Sequence, residues 1–351
     1  MGWFDTLKNL LSGKGRDDVR PGSPIRATDT KFTPASPLGT TAAPKRGAAE
    51  PDSPVKDKHI FRLGEYVGLH SRSPKGRWVL SWSDSAPSMG IGGHRESGNG
   101  SYLLYDAEAG QVVFRGEMPR PNGGHVADSG HFSLEDWHFG STLSGTFSVF
   151  EPNGQLVVAK DVTANIMMSD ISVNGRYALF QTANSPTEDG RKLFLIDITT
   201  REIRYSIDPL AGWPERYSID EETAEVTAHL KDLGSFRYDS QGAFIDAAKL
   251  AQAKLVSPRY EFAIPAAEAL LKSPDLTAET ARQALDIVER ARKHGADQVD
   301  FWKAKSLKLQ GLAHEALGEL REAVKAFDQA LALDPKIGVK RKRDSLAKKI
   351  G

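Results

Sequence analysis

Four times between residues 101 and 247 the chain spells an alternating apolar strand, an acidic residue, a short turn and a second strand. The copies are SYLLYDAEAGQVVF (101–114), TFSVFEPNGQLVVA (146–159), KLFLIDITTREIRY (192–205) and SFRYDSQGAFIDA (235–247), and their acidic residues Asp106, Glu151, Asp197 and Asp239 recur after 45, 46 and 42 residues. A second hairpin pattern precedes the first three copies: HSRSPKGRWVLSW (70–82), HVADSGHFSLEDW (125–137) and DISVNGRYALFQT (170–182). In these, Lys-Gly, Ser-Gly or Asn-Gly supplies a residue with φ > 0 at a tight corner, and the aromatic-x-apolar alternation that follows turns one strand face into a core. The fourth unit has YSIDEETAEVTAHL (217–230) in that place, with Asp-Glu-Glu instead of a glycine turn. A regular period built from four short strands is one supersecondary unit repeated, so the two hairpins together make one unit.

With that spacing, residues 62–247 resemble the β-propeller families with tryptophan-aspartate or related repeats, although no unit spells a clean Gly-His or Trp-Asp signature. The resemblance implies a propeller-like array of about four four-stranded repeats, closed or incomplete. An antiparallel β-sandwich is the alternative, but a sandwich has no need of regular spacing.

After Asp246 the apolar period changes from two to that of a helix. LTAETARQALDIVERARKH (276–294) sets Ala281, Leu285, Val288 and Ala291 on one stripe, with Gly295 as its stop; FWKAKSLKLQGLAHEAL (301–317) and ELREAVKAFDQALAL (319–333) follow. The last pair resembles the tetratricopeptide repeat family. Gly311 stands where the family brings the helices together, Gly318 at the turn, Ala323, Phe327 and Ala330 on the packing stripe, and Pro335 at the end. Leu307, Gln310 and His314 depart from the tryptophan, leucine and tyrosine the family favours. The expected architecture is β then α: a β-repeat domain over 59–247 and tetratricopeptide-like helical hairpins over 248–351.

Two segments precede these. Residues 1–12, MGWFDTLKNLLS, place Trp3, Phe4, Leu7 and Leu11 on one side of an amphipathic helix suited to a partner's groove or peripheral contact with a membrane. Residues 13–58 hold seven prolines and few large apolar side chains, so a disordered linker is expected there. Lysine plus arginine equals aspartate plus glutamate at 46 each, which removes any global field for nucleic acid and makes that partner unexpected. The chain has no cysteine, which excludes disulfides, zinc thiolates and cysteine nucleophiles and is compatible with a cytoplasmic protein.

The densest set of reactive side chains is His125, Asp128, His131, Glu135, Asp136 and His138, which defines one alternative, a metal-dependent hydrolase. The seven-residue step from His131 to His138 does not match a helical metal motif. The glycine-rich SMGIGGHRESGNGS (88–101) lacks a Gly-Lys-Ser/Thr ending and leads into a strand, where phosphate loops lead into a helix. No motif calls for a cofactor. The leading expectation is therefore a non-catalytic scaffold or adaptor that binds a protein or peptide. Lys305, Lys308 and His314 are its candidate contacts, and Lys340, Arg341, Lys342 and Arg343 form a basic patch. A further alternative is a membrane-tethered or nucleic-acid-associated adaptor using residues 1–12 or that basic patch.

Overall fold

A glycine at φ near +80° closes the first hairpin of each of three units in the same way. In the computed structural model, which describes residues 59–84, 98–139 and 143–351, Gly76, Gly130 and Gly175 have φ of 83°, 86° and 79°. Each donates its N–H to the carbonyl three residues back: Ser73 (2.8 Å), Ala127 (3.0 Å) and Ser172 (2.9 Å). The acidic residue of the second hairpin is a turn-former too. Asp106, Asp197 and Asp239 each accept two backbone N–H bonds on Oδ1 at 2.8–3.2 Å, folding the chain back on itself. Where the longer Glu151 stands, Asn153 takes over and accepts from Gln155 N at 2.8 Å. Residues 1–58, with Trp3, Phe4, Leu7 and Leu11 of the expected amphipathic helix and the expected linker, lie outside the described residues.

These hairpins build four antiparallel up-and-down sheets. The first has five strands, β1 (Ile60–Leu63), β2 (Tyr66–Arg72), β3 (Trp78–Ser83), β4 (Gly100–Asp106) and β5 (Gln111–Met118). The second contains β6 (Pro121–Val126), β7 (Phe132–Asp136), β8 (Gly145–Phe150) and β9 (Leu156–Val162). The third contains β10 (Ile166–Ile171), β11 (Tyr177–Thr182), β12 (Leu193–Asp197) and β13 (Glu202–Ile207). The fourth has β14 (Arg216–Ile219), β15 (Val226–Leu230) and β16 (Gly234–Tyr238). In the last pair of strands of the first three sheets the register slips by one residue at the same place, opposite Val113, Val157 and Arg204. The expectation of equal four-stranded units therefore needs correction at both ends. β1 adds a strand to the first sheet. The fourth sheet's outer strand shrinks to a single bridge, Tyr238 to Phe244, because the chain turns into a helix at Ala247.

The inner sheets are apolar on both faces, so they pack in series. Trp78, Leu80 and Trp82 of the first sheet meet Phe132, Leu134 and Phe150 of the second. On its other face the second sheet gives Phe147 and Val149 to a layer shared with Phe180, Phe194 and Ile196 of the third. Phe147, Phe180 and Phe194 stack at centroid distances of 4.7 and 4.4 Å. The third sheet's Tyr177, Leu179 and Leu195 then pack with Tyr217, Val226 and Phe236 of the fourth. The two end sheets finish differently. Phe61 of β1 packs on Val79, Leu103 and Tyr105, on the face turned away from the second sheet. The last sheet's outer face is polar, with His229 held between Ser218 Oγ and Ser235 Oγ at 2.8 Å each. Among the described residues no apolar cluster joins the first sheet to the fourth, and closure into a propeller ring is not seen.

The glycine turns lie along one rim and touch one another. Asp128 accepts from Lys75 N (2.8 Å) and donates its own N–H to the carbonyl of Val173 (2.8 Å). Glu221, in the hairpin without glycine, reaches back to the third turn and accepts from Ser172 Oγ (2.5 Å), Asn174 N (2.8 Å), Asn174 Nδ2 (2.7 Å) and Arg176 N (3.3 Å). The ends of β3, β7 and β11 and the starts of β4, β8 and β12 lie at the opposite rim.

Helix α1 (Ala247–Val256) belongs to both halves of the molecule: Leu250 sits in the core shared by the third and fourth sheets, and Leu255 in the helical core. It is followed by α2 (Tyr260–Leu271), α3 (Ala278–Lys293), α4 (Asp300–Ala316), α5 (Leu320–Leu333) and α6 (Lys340–Ile350). Thr277 starts α3 with a capping box to Thr280, and Gly295 ends it at φ 108°. The α3 stripe is Ala281, Ala284, Ile287, Val288 and Ala291; Leu285 sits only half-buried beside it.

Two measurements test the rim. A Cβ on Gly175 would come within 2.5 Å of Ser129 Oγ, whereas one on Gly76, at nearly the same φ, meets nothing within 4 Å. In urea titrations Gly76→Ala is expected to lose about 1 kcal/mol from backbone strain alone, and Gly175→Ala a further 1–3 kcal/mol or so from overpacking; equal losses would mean the turns do not bear on one another. Glu221→Gln is expected to lose about 2 kcal/mol at neutral pH. Burial pushes the Glu221 carboxyl up, but its bonds from Ser172, Asn174 and Arg176 outweigh burial and hold it below the usual glutamate range. Its contribution is therefore present above the ordinary glutamate pKa and lost as pH falls through the depressed value, so stability curves of the variant and the parent should converge in acid.

Candidate interaction surface

The α4–α5 hairpin is built around one close approach. Phe327 of α5 is fully buried, and a Cβ on Gly311 of α4 would come within 2.4 Å of its ring. Ala323 and Ala330 are buried on the same stripe as Phe327, so the helices meet where side chains are smallest. The positions that depart from the tetratricopeptide pattern have local explanations. Leu307 is buried in place of a larger ring. Gln310 accepts from Arg292 Nη1 of α3 at 2.7 Å, while the same guanidinium grips Asp297 at 2.7 and 3.0 Å. His314 Nδ1 lies 2.6 Å from Glu319 Oε2 at the start of α5.

Successive hairpins lay α2, α4 and α6 side by side, tied by ion pairs. Lys305 of α4 reaches Glu268 of α2 at 2.9 Å, and Lys342 of α6 reaches Glu315 of α4 at 2.7 Å. Lys308 Nζ donates to the carbonyl of Ile337 at 3.0 Å. Burial pushes the Glu268 carboxyl up, yet hydrogen bonds from Lys272 and Lys305 outweigh it and leave the group below the usual glutamate range. Lys305 and Lys308 share the side of α4 that faces α2 and α6. His314, nine residues beyond Lys305 on a helix turning 100° per residue, lies about 180° away. The three side chains do not line one surface, and each already has an internal partner.

The basic run opens α6, the helix end that disfavours cations. Arg343 is offset by Asp328 of α5 (3.1 Å) and Lys342 by Glu315 (2.7 Å), whereas Lys340 and Arg341 are exposed.

The histidine-carboxylate segment scatters. His125 faces Asp170 at 3.7 Å, His131 lies 2.9 Å from Ser129 Oγ on the turn, and the His138 ring sits between Ser144 Oγ (3.1 Å) and Thr146 Oγ1 (2.8 Å). Buried Glu135 accepts from Ser169 Oγ (2.6 Å) and Trp137 Nε1 (3.1 Å). Burial raises the carboxyls of Asp136 and Asp170, although Asp136 accepts backbone bonds from Arg120 and His138. Asp128 belongs to the rim contacts. Among the described residues no three histidine, aspartate or glutamate side chains come together in a way that could hold a metal ion. Sequence reasoning missed Glu268 and Glu315, whose only signal is that they stand on the faces where lysines of neighbouring helices arrive.

A family model described as the tetratricopeptide repeat matches residues 304–337, which covers most of α4, all of α5 and the turn after them. No curated protein matches the chain. Among the described residues no helix is long and apolar enough to cross a membrane.

The close approach gives a direct test. Gly311→Ala is expected to lose about 1–3 kcal/mol by overpacking and Phe327→Ala about 3–5 kcal/mol by cavity formation. The double variant should lose clearly less than the sum, because the new methyl occupies space the ring vacates. Additive losses in thermal or urea unfolding would show that the two residues do not bear on each other.

Proposed function

We propose that the chain is a non-catalytic interaction protein, in which the sheet series supports helical hairpins that bind a protein or peptide partner. The observation that carries this reading is the tetratricopeptide unit at 304–337, with Gly311 seated against Phe327 and flanked by a further hairpin, α2–α3, and by α6. Repeats of this kind stack into curved faces formed by alternate helices, which here are α2, α4 and α6. His131, Glu135 and His138 of the His125 to His138 segment are occupied in separate hydrogen bonds, which favours a structural part for them over a catalytic one. The β-repeat part is read as a propeller-like support whose end sheets are covered, one by Phe61 and the other by polar side chains. Lys305 and Lys308 then sit where a partner lies along the α2, α4 and α6 side, and the exposed Lys340 and Arg341 add electrostatic attraction at its edge.

Affinity purification of the intact chain, followed by identification of the retained protein, supplies the partner. Lys308→Ala is expected to lose about 1 kcal/mol of stability with its bond to the Ile337 carbonyl and, with the helical region still folded, to weaken that partner's binding several-fold, and His314→Ala to leave binding unchanged. Lys340→Ala with Arg341→Ala should matter mainly at low salt. Undiminished binding by Lys308→Ala, or by a variant with Phe327→Ala whose helical region has unfolded, would overturn the reading.

A further inference from the structure

A groove of about 230 Å³ opens where the sheet series meets the helices. Leu210 and Phe244 wall it on the β side, and Leu250, Ala266 and Leu270 on the α1 and α2 side. Its one charged lining residue is Lys254 of α1. Nearby cations have partners: Lys249 donates to the carbonyl of Ser235 (2.8 Å), Arg259 faces Asp232 (3.7 Å) and Glu261 (3.6 Å), and Lys272 pairs with Glu268 (2.6 Å). Among the described residues the Lys254 ammonium has no carboxylate partner, and burial alone pushes its pKa down. Leu210 at the mouth is 58% exposed, so apolar surface continues outward from the groove.

An apolar slot with one unpaired, partly desolvated cation is complementary to an apolar chain that ends in a carboxylate. The volume falls below the size of drug-like ligand pockets and suits a short hydrocarbon chain. An uncharged tail alone would leave the ammonium without a counter-charge; a helix face would require several side-chain sockets. We propose that this groove binds a medium-chain fatty acid, with the hydrocarbon between α1, α2 and Phe244 and the carboxylate on Lys254. Because the walls come from both the β and the helical parts, occupancy ties the two together. α2 contributes to both this groove and the proposed partner face, but the site does not depend on that reading.

Octanoate is the probe, titrated calorimetrically into the full chain with octan-1-ol as the equal-length uncharged control. Saturable one-site binding of octanoate, at least tenfold tighter than octanol, is expected together with a rise in melting temperature. Lys254→Met should keep the fold, as judged by its melting curve, and abolish the preference for the acid over the alcohol. Ala266→Phe, which fills the slot, should weaken both ligands. Equal affinity of the parent for octanoate and octanol, no saturable octanoate binding, or undiminished octanoate binding by Lys254→Met would each overturn the proposal. Binding of an acidic amphipathic peptide in the absence of octanoate binding would overturn it in favour of a protein occupant.

Discussion

A β-sheet that is apolar on both faces has no surface to offer water, and this constraint orders the whole β region. The second and third sheets cannot be terminal, so each must lie between two neighbours, and the three shared aromatic and aliphatic layers follow. The end sheets each solve the remaining problem once. The first covers its outer apolar face with Phe61 from an added strand, and the fourth carries serine, histidine and arginine outward. α1 then fastens the helices to the last layer through Leu250 while Leu255 joins the helical core, so the two halves share a helix where a linker would leave them independent.

What could be read from the amino-acid order was whatever local chemistry enforces. Glycine at a corner, an aspartate accepting two N–H groups two to four residues further on, alternating apolar strands and the small-residue stripe of α5 all act within a few positions, and they appear where expected. The extra strand β1 was not legible, because IFRL is an unremarkable four-residue run whose importance comes from Tyr105, more than forty positions away. The repeated register slip opposite Val113, Val157 and Arg204 leaves no common residue type behind. Glu221 looked like part of a missing turn, whereas it is the residue that holds the preceding turn.

The candidate surface shows the same division. Its lysines were visible as cations on a helix, but charge does not reveal the partner. Lys305 is met by Glu268 and Lys342 by Glu315, each across a helix boundary that only the tertiary arrangement creates. The basic start of α6 is tolerated because acidic residues of α4 and α5 arrive beside it, offsetting an unfavourable helix dipole. Likewise Gln310, odd for its repeat position, is the acceptor Arg292 needs after it has gripped Asp297.

The two rims of the sheet series are unequal in the freedom they leave to mutation. Along one, each turn is seated against the next through Asp128, Gly175 and Glu221, so inserting a residue there would displace the neighbouring unit as well as its own. Along the other, 16, 8 and 10 residues separate the paired strands β3–β4, β7–β8 and β11–β12, which keep their register. Evolutionary change in such a chain has one permissive edge: new sequence, and with it new specificity, can accumulate on the long-connection rim without disturbing the spacing set by the other.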